Sequence, residues 1–245
     1  MKNRITTAIV ITALLSFSLT GCGMLSGGQD ADNQSDAASA DASVTSQSQP
    51  ATANEPTALM LSAAEGDLSE LKDLVEQGAN VNTLTPEGTA LSYAIEKNQQ
   101  IPALYLMSVG ADPNKGFTDG DASLLMVAAD RADNRLVKAL LAAGADVNYA
   151  DAQGETAIAY ASYKGHLTTV KALLKAGADV NVTPEGKSLL MHIVKNNDLL
   201  LAQVVIAAGA DVNYADEHGN TALKIAQEKG LADLEMLLIQ SGATS

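Results

Sequence analysis

The side chains best suited to covalent, acid–base or metal chemistry are few in this chain: one cysteine, Cys22, and three histidines, His166, His192 and His218. A catalytic or metal site needs several such groups converging, with a nucleophile beside a base or ligands at a short fixed spacing. No GxSxG, HExxH, glycine-rich phosphate loop or Cys/His cluster accompanies them. His192 falls within a helical stretch and His218 in a turn, where each reads as a packed or solvated single residue. No catalytic residue, metal or cofactor is assigned, and the chain is read as a non-enzyme.

Recognition has more material. Lys97, Arg131, Lys164, Lys195 and Lys229 recur at near-even intervals in a chain whose formal net charge is -14. Such a row suits an acidic partner. A cation in the last turn of a helix also complements the helix dipole, worth about 0.3–1 kcal/mol, so each has a structural use as well. Aromatics are scarce, with no Trp and two Phe, and Phe117, Tyr149, Tyr163 and Tyr214 are candidate anchors because Tyr binds at low entropic cost. The acidic total excludes nucleic acid as a partner, since a phosphate backbone is bound by basic surface.

A fixed period positions these residues. The marker GA plus a polar residue begins at Gly78, Gly110, Gly144, Gly177 and Gly209, with a worn copy at Gly242, so that successive markers stand in even steps along the chain. A hydroxyl residue precedes each at a constant offset: Thr57, Thr89, Ser123, Thr156, Ser188 and Thr221. Each opens an apolar-periodic segment, as in TAIAYASYKG, so it is read as the N-cap of a first helix. A second helix follows, as in HLTTVKALLKAG, and the marker Gly supplies its left-handed stop. Turn formers such as NYADAQGET join one unit to the next. The unit is helix, turn, helix, projecting turn, and stacking such units makes a solenoid in which each covers its neighbour.

This pattern resembles the ankyrin repeat from about Glu55 to Gly242: the period, the capping Thr, the Leu140-Leu141 and Leu173-Leu174 pairs and GADVN all fall in register. The resemblance implies an all-α solenoid of six repeats over 55–245, with the first helices and their turns lining an extended concave face. It departs from the family where Pro follows the cap, here Ala or Leu, and where His stands two places later, here Met60, Ser92, Met126, Ala159, Met191 and Lys224. Without that His, cohesion between repeats is expected to lean more on packing. His166 occupies the family's Gly-His slot, a structural position. One inward place of the second helix holds Leu71, Ala103, Val137, Val170 and Ala202, then Glu235 in the sixth repeat. A charge there marks a face that meets water, as a terminal cap requires.

The segment 1–21 reads as a secretory signal: Lys2 and Arg4, then an apolar run from Ile5 to Leu19 too short for an ordinary span. LTGC, ending at Cys22, resembles the lipobox of bacterial lipoproteins, which implies cleavage before Cys22 and its acylation. Gly23 stands where inner-membrane lipoproteins often carry Asp, so the resemblance implies the periplasmic leaflet of the outer membrane of a Gram-negative bacterium. The segment 22–54, poor in large apolar side chains, reads as a lipidated disordered tether spanning on the order of 30 Å.

Together these readings describe a monomeric protein held to a membrane by acyl chains on Cys22 and binding another protein. Some bacterial ankyrin lipoproteins resemble immunity proteins, which makes a secreted toxic effector enzyme such as a lipase an expected partner. The alternative is an envelope scaffold or accessory protein supporting another enzyme or stress defence.

Overall fold

The computed structural model describes residues 56–116 and 122–244. Twelve α-helices run through them in six pairs: α1 (Ala58–Glu65) and α2 (Leu68–Glu76), α3 (Ala90–Glu96) and α4 (Gln100–Ser108), α5 (Leu124–Asp130) and α6 (Asn134–Ala142), α7 (Ala157–Tyr163) and α8 (Leu167–Lys175), α9 (Leu189–Lys195) and α10 (Leu199–Ala207), α11 (Ala222–Glu228) and α12 (Ala232–Gln240). The described residues contain no strand beyond the isolated bridge Thr85–Gly88. First helices pack on first helices, second on second, and each pair on itself. This is the helix-pair solenoid expected from the period. Cys22, Phe117, the signal and tether segments lie outside the described residues.

All six in-phase hydroxyl residues are N-caps. Five of them accept a hydrogen bond from the backbone N–H three places on, at 3.2–3.3 Å. Thr156 is the exception: its hydroxyl is buried and has no partner. Within each repeat the turn between helices requires one left-handed residue. Gly fills it in three repeats, Asn98 and Asn197 in two, and Ala132 in the third repeat at φ 53°. A Cβ at that conformation is strained, so Ala132 holds local strain that Gly would relieve.

The core is built from small aliphatic side chains, as the scarcity of aromatics demands. Leu71, Ala103, Val137, Val170 and Ala202 are each wholly buried. Glu235, their counterpart in the last repeat, is half-exposed and accepts a hydrogen bond from Gln227 at 3.1 Å. Among the described residues no helix pair stacks over that face, and a charge suits a face that meets water.

Beside packing, a series of hydrogen bonds joins the repeats. The last residue of each marker is Asn82, Asn114, Asn148, Asn181 or Asn213. Its amide Nδ2 donates to the carbonyl of the next marker Gly, at 2.9–3.3 Å. Its Oδ1 accepts from the backbone N–H two places beyond that Gly, at 2.7–2.9 Å. Each Asn is itself set by the marker's third residue, whose side chain accepts its backbone N–H, as Asp146 does for Asn148 at 2.9 Å. Five rungs of the same geometry thus join six repeats.

Candidate protein-binding face

The first-helix row is where the candidate side chains gather, because each first helix ends in one turn and is entered from another. The last turn presents the basic row. The residue before the cap, Glu155, Lys187 or Asn220 in the last three repeats, stands on the same side. Lys187, Lys195, Asn220 and Lys229 line one cleft.

Much of the basic row proves to be engaged with the preceding repeat. Arg131 donates to the backbone carbonyl of Ile95 at 2.5 Å and to that of Glu96 at 3.4 Å. Lys164 pairs with Asp130 at 3.6 Å, and His166 bonds the Asp130 carbonyl at 3.0 Å. His166 is therefore structural, as its slot implied. Asn196 continues the pattern by donating to the carbonyl of Tyr163 at 3.4 Å. Lys97 lies beside Glu96, whose carboxyl is nonetheless raised by burial. Lys195 and Lys229 are exposed and take part in no ion pair among the described residues.

The aromatics divide similarly. Tyr214 is half-buried against the core and its hydroxyl donates to the Gly186 carbonyl at 3.0 Å. Tyr149, at the equivalent place two repeats earlier, is half-buried against the same core. Both are therefore at least partly packing residues. Tyr163 stacks at a tilt on His192, ring centroids 4.8 Å apart, and donates to Glu155 at 3.3 Å. Beside it Tyr160, which was not singled out in the sequence, donates to buried Asp151 at 3.1 Å. Burial, then the neighbouring acids, push both phenols well above their ordinary range.

These contacts make a small polar cluster over α7 and α9. Burial raises the Glu155 carboxyl, against the lowering effect of the Tyr163 hydroxyl. Burial, reinforced by Lys187 and Lys195, lowers His192, which stays neutral at pH 7. Its Nε2 is buried and has no hydrogen-bond partner. The cluster thus sets a neutral imidazole against a tyrosine ring, both half-buried. The described residues hold no group of three or more His, Cys, Asp or Glu placed to bind a metal.

Comparison with known proteins agrees with this architecture. The family profile of ankyrin repeats in three copies matches residues 25–116 and 104–184. The ankyrin repeat protein YahD of Escherichia coli K12 is 30% identical over 199 residues, covering 78% of this chain and 98% of YahD. The chain belongs to the ankyrin-repeat family. Among solved structures, an ankyrin repeat domain from Acinetobacter baumannii AYE aligns with a TM-score of 0.72 at 30% identity, covering 76% of this chain and 98% of that domain. The ankyrin repeat domain of Bcl-3, of the IκB family, aligns at 0.68 with 26% identity, covering 78% of this chain and 89% of that one. Ankyrin arrays are protein–protein interaction modules and typically non-enzymatic. In this ankyrin array, Lys187, Lys195 and Lys229 are exposed along the first-helix row.

Proposed function

We propose that this ankyrin array is a lipid-anchored, periplasm-facing protein that captures another protein along its first-helix row. Its target, on this reading, is a secreted toxic effector enzyme such as a lipase, which it neutralises by occupying a functional surface. The observation that carries the binding role is the division of the basic row. Arg131 and Lys164 tie one repeat to the next, whereas Lys195 and Lys229 stand exposed and form no ion pair among the described residues. The anchoring role rests on the charged start, the apolar run and LTGC ending at Cys22. Acyl chains on one residue, on a tether of about 30 Å, would keep the array within reach of an incoming protein.

Two measurements test this. Cys22→Ser should move the protein from the membrane fraction to the soluble one, and mass spectrometry should find acyl groups on the wild-type Cys22 peptide. Mixing the purified chain with secreted hydrolases encoded beside its gene should abolish turnover of one of them at near-stoichiometric ratio. Full activity of every such hydrolase, with no complex by size exclusion, rejects the immunity role. Weak capture of several abundant envelope proteins, with no toxicity on deletion of the gene, points to the scaffold role instead.

A further inference from the structure

We infer that the cleft between α9 and α11 seats an acidic segment of the partner protein, a carboxylate held among Lys187, Lys195 and Lys229. This rests on the binding-module reading and names the chemistry of its partner. The cleft encloses about 250 Å³. That is smaller than the roughly 300–1,000 Å³ of small-molecule sites, and suits one or two side chains of a docked chain. Met191 is buried and Ile225 half-buried, so the apolar lining lies deep, while the three exposed lysines stand at the mouth.

The charge balance at that mouth is what selects the occupant. None of the three ammonium groups forms an ion pair among the described residues. Two acids also line the cleft, Asp216 and Glu228. Asp216 is buried, and its carboxylate accepts from the backbone of His218 and Asn220 and from the Asn220 amide at 2.8–3.0 Å. Bonding to its own turn holds it in place without discharging it, so three ammonium groups stand in the cleft against two carboxylates, Asp216 and Glu228. The imidazole of His192, neutral and lining the same cleft, adds no negative charge.

A chain of net charge -14 repels an acidic body at long range. At physiological ionic strength, however, charges separated by more than about 8 Å are largely screened, so the local lysines govern the contact. An acidic side chain flanked by an apolar one would satisfy both parts of the cleft. The first-helix rows of the third and fourth repeats offer no equivalent, because their cations are committed to the neighbouring backbone or to Asp130.

A random-peptide display library selected against the full chain tests this. The expected result is enrichment of Asp and Glu beside an apolar residue, and loss of binding by about 100-fold or more in the triple variant Lys187→Glu, Lys195→Glu, Lys229→Glu. Lys138→Glu with Lys171→Glu, on the second-helix side, should leave the same peptides bound. Binding should also weaken as sodium chloride rises from about 50 to 300 mM, a readout that needs no variant. Selected peptides without acidic enrichment, or with binding indifferent to the triple variant and to salt, overturn the acidic occupant and leave the binding module standing. A library that yields no peptide above background counts against both.

Discussion

Replacing Asn148 by Ala removes two hydrogen bonds at the centre of the array: the amide to the Gly177 carbonyl at 3.2 Å and the Asp179 N–H to Oδ1 at 2.9 Å. Each is worth about 0.5–1.5 kcal/mol net, and both lie at the surface, where water replaces part of what is lost. The expected cost is therefore about 1–2 kcal/mol, corresponding to a fall in Tm of roughly 2–8 °C for a domain of this size. Asn148→Asp makes a sharper case. It keeps the acceptor for Asp179 but turns a carboxylate oxygen toward the Gly177 carbonyl, so it should cost at least as much as Ala. Urea denaturation followed by circular dichroism measures both. Wild-type stability in Asn148→Ala, or an Asp variant clearly more stable than the Ala variant, would refute the rung as a source of cohesion.

Four further outcomes follow from local geometry. Ala132→Gly should stabilise the protein by about 0.5–1 kcal/mol in the same urea titration, because Ala132 sits at φ 53°. Ser188→Ala should cost about 1 kcal/mol through loss of its cap bond to Met191, whereas Thr156→Val should be neutral or stabilising because it deletes a buried hydroxyl with no partner. His192 is lowered from 6.5 by burial, then Lys187 and Lys195, so the unfolded chain takes up its proton first as pH falls. The stability it contributes is complete above about pH 6.5 and is lost as pH falls from there through its folded-state value. His192→Gln should flatten that part of the pH–stability curve, and an NMR titration midpoint above 6.5 for its ring would refute the assignment.

The fold was legible wherever a residue acts within its own unit. Thr57, Thr89, Ser123, Ser188 and Thr221 cap helices from three places away, and that chemistry shows as a spacing. The Asn rung was written in every GADVN yet read only as a turn former, because its partners are backbone atoms a whole repeat further on, which carry no side-chain signature. The basic row was visible, but not its division. Arg131 and Lys164 fall in step with Lys195 and Lys229, and only stacking shows that the first two reach back to Glu96 and Asp130. Lys187 escaped notice for a related reason: it lies in a turn, and joins Lys195 and Lys229 only when α9 and α11 meet. Tyr149 and Tyr214 were singled out for their rarity, while their partial burial against the core depends on neighbours that rarity says nothing about.

The Asn latch grips main chain alone, the Gly carbonyl and the N–H two places later, and so makes no demand on which side chains the following unit carries. A copied stretch one unit long would arrive with its own fastening and find the socket already present in whatever it lands beside. The verbatim recurrence of GADVNYAD at Gly144 and Gly209 sets the same fastening at two joints, although the helices between them differ in sequence. Lengthening this protein is, in that sense, chemically easier than redesigning any single part of it.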